Sequence, residues 1–174
     1  MIKKFVFGHP FSTCAVVKDI EKSEGKLPYF TTDGNGNFEY SFSENDIVYG
    51  LGEQARGINK RGWEYVSWNY DNPNHQEDTR SLYGAHNFII VKGTVTFGAF
   101  FDYPGKLVFD IGYTSRNTMK IHAEKNDLTV YIIDGGSEKD IVKQFREIIG
   151  RSYILPFWAF GYGQSRWGYK NEND

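Results

Sequence analysis

The segment from Trp63 to Arg80 reads WEYVSWNYDNPNHQEDTR and mixes rings, carboxylates and planar amides in one stretch. Trp63, Trp68 and Tyr70 lead into Asp71, His75, Glu77, Asp78 and Arg80. Such a set suits a sugar, whose C–H faces stack on aromatic rings while its hydroxyls bond to planar polar groups. The competing reading is a long solvated loop with half-covered aromatics. A long polar loop in a compact domain is often a functional one.

Other chemistry-bearing residues are weaker candidates. His9, His75, His86 and His122 are scattered without metal-ligand spacing, and no metal site or cofactor is expected. Cys14, the one cysteine, lies in a run that reads as an apolar strand, where it would be a small buried residue. Gly50-Leu51-Gly52 resembles the start of a dinucleotide loop, but the next glycine is Gly57 and no amphipathic helix follows. Asp33, Asn35, Asn37 and Glu44 fall at calcium-loop positions 1, 3, 5 and 12. Position 6 is Phe38, where that loop needs glycine, so a hairpin turn is the better reading.

The elements that must position these residues are mostly strands. Short runs rich in Val, Ile, Thr, Phe and Tyr recur between Gly, Asn, Asp and Pro. Strands are predicted near 5–7, 14–21, 28–32, 37–42, 47–52, 63–68, 86–92, 95–102, 106–113, 117–124 and 127–134. Phe38-Glu39-Tyr40-Ser41-Phe42 places its aromatics on one face, and Leu128, Val130 and Ile132 repeat that period. Turns are expected at Asp33-Gly34-Asn35-Gly36 and between Val91 and Val95. Many closely spaced strands argue for an antiparallel sandwich or barrel. One helix is predicted: Ser137 caps it, Ile141, Val142, Phe145, Ile148 and Ile149 form its stripe, and Gly150 ends it. Glu147 and Arg151 are spaced for an ion pair.

Composition narrows the classes. The 174 residues are 40% apolar, 17% aromatic and 24% charged, enough ring area to bury a core rather than remain disordered. Twenty Lys and Arg against 22 Asp and Glu give no positive excess for a nucleic-acid partner. No apolar run reaches the roughly 18 residues of a membrane span. MIKKFVFGHPF breaks at Gly8, His9 and Pro10, short of the apolar stretch of about 7–15 residues in a signal peptide, so a cytoplasmic location is expected.

After Arg151 the texture changes. Residues 152–156 read as an extended linker, and Phe157-Trp158-Ala159-Phe160-Gly161-Tyr162 is apolar on both faces, as in a buried parallel strand. Such a strand looks like the opening of a second domain. Left without that domain, residues 157–169 would pack on the sandwich or pair with another copy as a homo-oligomer.

Four stretches in order resemble glycoside hydrolase family 31, the α-glucosidase and α-xylosidase family. Val48-Tyr49-Gly50-Leu51-Gly52-Glu53 looks like its YGLGE motif, and Ser81-Leu82-Tyr83-Gly84-Ala85-His86 like its S-Y-G-x-H strand start. DIVKQFREIIGR resembles the helix at the family's domain junction, and Phe157 to Tyr169, FWAFGYGQSRWGY, the linker and first barrel strand. The resemblance implies an all-β, galactose mutarotase-like antiparallel sandwich over residues 1–151. It also implies that residues 152–174 are the linker and first strand of a (β/α)8 catalytic barrel. The chain then reads as the N-terminal part of a retaining α-glucosidase-like enzyme acting on an oligosaccharide or α-glucoside, with terminal α-linked glucose or xylose as the sugar. The two catalytic carboxylates of such an enzyme sit in the barrel, so no catalytic residue is assigned here and the part alone is expected to be inactive. Two substrate-binding residues carry over: Asp71, from a sandwich loop sent over the barrel mouth, and Trp167, at the aromatic position of the family's R-[YW]-G-Y segment. Gln164 and Arg166 would brace the barrel.

Two other readings stand beside this one. The sandwich could be a free-standing carbohydrate-binding module using Trp63, Trp68 and Tyr70. It could also be a mutarotase-like enzyme pairing His75 or His86 with Glu77.

Overall fold

Alternation of large apolar side chains builds two antiparallel sheets. The computed structural model describes residues 1–163 and 168–174. The strands are β1 (Ile2–Phe7), β2 (Thr31–Thr32), β3 (Asn37–Ser41), β4 (Ile47–Gly52), β5 (Trp63–Ser67), β6 (Ala85–Lys92), β7 (Thr96–Asp102), β8 (Leu107–Ile111), β9 (Thr118–Ala123) and β10 (Leu128–Asp134). One sheet runs β1-β10-β7-β6-β4 and the other β2-β3-β9-β8-β5. Phe38, Tyr40, Phe97, Phe101, Phe109 and Ile121 meet between the sheets, each almost fully buried. Burying each large side chain contributes roughly 1.5–3 kcal/mol. The antiparallel sandwich expected from the alternation is therefore present.

The sheet containing β6 and β7 is apolar on both faces. Ile89 and Val91 point into the sandwich, while Phe88 and Ile90 point outward. The outer face is covered by α1 (Glu138–Ile149), whose Ile141, Phe145 and Ile148 are buried. Phe145 stacks on Phe88 with ring centroids 3.8 Å apart. Gly98 permits this approach, because a Cβ there would lie 2.6 Å from Ile141 Cγ2. Ser137 caps the helix by accepting from the Asp140 N–H at 3.2 Å. Gly150 ends it with a φ of 88°.

Several expectations are corrected. Residues 14–21 form a loop, not a strand, and Cys14 is exposed with a φ of 56°. That loop turns to the end of α1, where the Val17 N–H donates to the Ile148 carbonyl at 2.8 Å. An orphan helix-end carbonyl thereby gains a partner that sequence periodicity does not reveal. Lys18 of the same loop takes Glu147 at 2.9 Å, in place of the expected Arg151 pair. Val142 is exposed, so the buried stripe is narrower than the apolar positions imply. The segment 28–32 contributes only Thr31 and Thr32 as a strand.

The tail differs most. Phe157–Phe160 is a 3-10 turn, not a strand, with Phe157 94% and Trp158 80% exposed. These rings do not pack on the sandwich. Among the described residues, no helix is long and apolar enough to cross a membrane.

Candidate functional site

The loop of residues 68–84 leaves β5 and returns to β6, and its own backbone ties it down. The Val66 N–H donates to the Arg80 carbonyl at 2.7 Å and the Tyr70 N–H to the Leu82 carbonyl at 3.0 Å. Leu82 is buried beneath it. The Ala85 N–H donates to Asn69 Oδ1 at 2.9 Å, and the Ser81 hydroxyl donates to the Trp68 carbonyl. Near the tip, the Asn74 N–H donates to Asn72 Oδ1 at 3.0 Å and the Gln76 N–H to Thr79 Oγ1 at 2.8 Å. Arg80 pairs with Glu64 of β5. The segment is thus an ordered projection of the sandwich rather than a slack connection.

Asp71 is exposed on this loop and lies near the Tyr83 side chain. The adjacent Asp71 carboxylate, followed by crowding and the charge of Glu53, raises the Tyr83 phenol above its ordinary pKa. Glu53 is itself locked to the residue after Tyr83. Its N–H donates to the Gly84 carbonyl at 2.9 Å, and its Oε2 accepts from the Gly84 N–H at 3.0 Å.

The glycines of the YGLGE stretch explain how Glu53 gets there. Gly50, Leu51 and Gly52 have φ values of 118°, 67° and 71°, and the register between β4 and β6 shifts at this point. A bulge of this kind bends a strand and re-aims the residues beyond it. A Cβ on Gly50 would lie 2.2 Å from the Phe88 carbonyl oxygen, so the close approach needs glycine. A run that resembles a dinucleotide loop in sequence is here a device that holds Glu53 against Gly84, beside Tyr83 and Asp71.

The other candidates separate. Trp63 carries the Arg56 guanidinium 3.9 Å over its ring, so that ring face is already occupied. Trp68 lines a cleft that Trp63 does not line. His75 lies on the loop with Nδ1 3.3 Å from the Asn72 carbonyl, whereas His86 lies on β6 and lines the cleft. Asp33 is a turn residue: its Oδ1 accepts from the Asn35 N–H at 2.8 Å and its Oδ2 from Asn37 Nδ2 at 2.7 Å. Trp167, Gln164 and Arg166 lie outside the described residues. Tyr83 and Glu53 are residues that sequence reasoning did not single out, although both fall inside the quoted motifs.

A family model described as the glycosyl hydrolase 31 N-terminal galactose mutarotase-like domain matches residues 16–110. The chain belongs to glycoside hydrolase family 31. The match runs from before β2 through most of β8 and includes the whole Asp71 loop. Among family 31 relatives, alpha-glucosidase 2 of Bacillus thermoamyloliquefaciens is 34% identical over 87% of this chain and 20% of its own length. The alpha-glucosidase of Saccharolobus solfataricus is 30% identical over 97% of this chain and 25% of its own. The solved structure of a Flavobacterium johnsoniae family 31 dextranase bound to isomaltotriose superimposes with a TM-score of 0.67 and 27% identity. That match covers 78% of this chain and 16% of the dextranase. The chain therefore spans about a fifth to a quarter of these two relatives and corresponds to the family's N-terminal domain.

Proposed function

We propose that this sandwich serves a retaining α-glucosidase-like enzyme that releases terminal α-linked glucose, or xylose, from oligosaccharides and small α-glucosides. Residues 1–151 are the sandwich with its helix, and residues 152–174 are the linker and the start of a catalytic barrel. The observation that carries this reading is Asp71, exposed beside Tyr83 on a loop whose backbone is tied to β5 and β6. A carboxylate carried on so ordered a loop accepts hydrogen bonds from sugar hydroxyls at little ordering cost. Trp167 contributes a ring wall to the pocket of the non-reducing sugar.

The chemistry needs an acid and a nucleophile about 5–5.5 Å apart across the glycosidic bond. Those two carboxylates belong to the barrel in this reading, and Asp71, Glu77 and Asp78 are assigned neither role. Neither a nucleic acid nor a membrane is a partner in this reading, and the isolated chain self-associates through residues 157–169.

The test tracks the product anomer by NMR. The enzyme carrying this sandwich and a barrel should cleave aryl α-glucosides or α-xylosides with net retention, and residues 1–174 alone should not. Turnover by residues 1–174 that disappears when one of their carboxylates is replaced would overturn the reading, as would inversion by the full enzyme.

A further inference from the structure

We propose that the cleft beside the C-terminal end of α1 is a separate binding site for a neutral gluco-oligosaccharide, one that makes no use of Asp71. The cleft encloses ≈ 790 Å³, and Trp68, Asn69, His86, Asn87, Asp102 and Tyr103 are among its walls. Ligand pockets typically span about 300–1,000 Å³ and place a few polar groups among rings.

The walls divide into groups that brace and groups that remain open. Asn87 is spent on the fold: it binds the Ser67 hydroxyl through Oδ1, and its Nδ2 donates to the Tyr103 carbonyl at 3.1 Å. It thereby ties β6 to β5 of the other sheet and to the turn after β7. Asn69 is spent on the Ala85 N–H, which fixes the backbone beside Trp68. The Trp68 side of the cleft is therefore set before any ligand arrives.

The open groups are those a sugar uses. Trp68 is 53% exposed and offers an indole for stacking. His86 of β6 and Asp102 of β7 both line the cleft, on strands that pair with each other at Phe88 and Phe100. Thr13 donates to Asp102 Oδ1, which leaves Oδ2 without a hydrogen bond from the described residues. His86 packs its ring against Phe145 with centroids 5.7 Å apart, and neither ring nitrogen has a hydrogen-bond partner among the described residues. Crowding by these neighbours lowers the His86 pKa, although its ring still reaches solvent. A neutral imidazole offers one donor and one acceptor, and the carboxylate accepts, which together match vicinal hydroxyls. Asp102 disfavours an anionic ligand.

The test uses the 174-residue chain, with isomaltotriose, maltotriose and glucose as probes and two-dimensional NMR as the readout. A trisaccharide should shift the Trp68 indole and Asn87 side-chain amide signals saturably. Trp68→Ala and Asp102→Asn should weaken that binding at least tenfold, about 1.4 kcal/mol. Trp68→Phe should retain most of it, and Ile58→Ala, at an exposed residue away from the cleft, should match the unaltered chain. Fold is checked by the unchanged methyl spectrum of the core, and the Trp68→Phe comparison stands if Trp68→Ala does not fold. The proposal is overturned by the absence of saturable shifts at high trisaccharide concentration. It is equally overturned by shifts confined to the tail, or by binding that Trp68 and Asp102 substitutions leave unchanged.

Discussion

The Tyr40 hydroxyl donates a 2.8 Å hydrogen bond to Asp46 Oδ2 inside the sandwich. Asp46 is only 2% exposed, and the same oxygen accepts the Ser43 N–H at 2.8 Å. The carboxylate thus anchors the turn between β3 and β4, while Arg61 donates to the Asp46 carbonyl at 3.0 Å. Burial, followed by the Asp46 bond, pushes the Tyr40 phenol well above its ordinary pKa.

Tyr40→Phe should therefore destabilise the fold by about 2 kcal/mol, since it strips a partner from a buried charge. Urea unfolding should show a lower midpoint at constant slope. A midpoint equal to that of the unaltered chain would show that solvent replaces the hydroxyl.

Gly50→Ala combines a φ of 118° with a Cβ 2.2 Å from the Phe88 carbonyl oxygen. A loss of about 3 kcal/mol is expected. It should be accompanied by faster hydrogen exchange at the Gly84 amide, because the bulge holds Glu53 on that amide. Wild-type stability and exchange would remove the bulge from its assigned role.

Much of this fold was legible in the residues themselves. The alternation in Phe38-Glu39-Tyr40 and in Leu128, Val130 and Ile132 marks β3 and β10, and Ser137 and Gly150 bound α1 as their types predict. Residues 14–21 misled because Ala15, Val16 and Ile20 pack against the cluster around α1 from a loop, a tertiary use that carries no period. The run 157–162 is apolar on both faces, yet a strand needs edges to pair with, and its backbone closes a 3-10 turn instead. Asp71 was reached through its place between two motifs. Tyr83 and Glu53 escaped because their link to it arises from the bulge at Gly50-Leu51-Gly52, which no local pattern displays.

His86 is exposed over part of its surface, and the side packed against Phe100 and Phe145 is shielded from water. That partial desolvation lowers its folded pKa below the ordinary value of about 6.5, so the unfolded chain binds its proton first and a modest pH dependence of stability is expected. Stability should fall as pH drops through about 6.5 and level off below the folded pKa. Asp102 of the same cleft, whose pKa burial raises against the Thr13 bond and Lys4, starts from the lower carboxylate range. His86→Phe keeps the ring packing on Phe145 and should flatten the melting-temperature profile between pH 7.5 and 5.5, values spanning the ordinary histidine range of about 6.5. An unaltered slope would assign the pH dependence to other groups.

The exposed rings of Phe157, Trp158 and Phe160 predict self-association of the isolated chain. Light scattering should give a larger mass for residues 1–174 than for a form lacking residues 156–174. Equal monomer masses for both would show that the exposed rings do not mediate association.

Whether Asp71 reaches bound sugar is measured most directly by kcat/KM on disaccharides for the full-length enzyme and its Asp71→Ala variant. Removing a charged hydrogen-bond acceptor from a closed sugar site costs roughly 1.5–3 kcal/mol, so kcat/KM should fall about ten- to hundredfold while the sandwich melts unchanged. An unchanged kcat/KM across several α-linked disaccharides would contradict the account and leave Asp71 as a solvated loop residue.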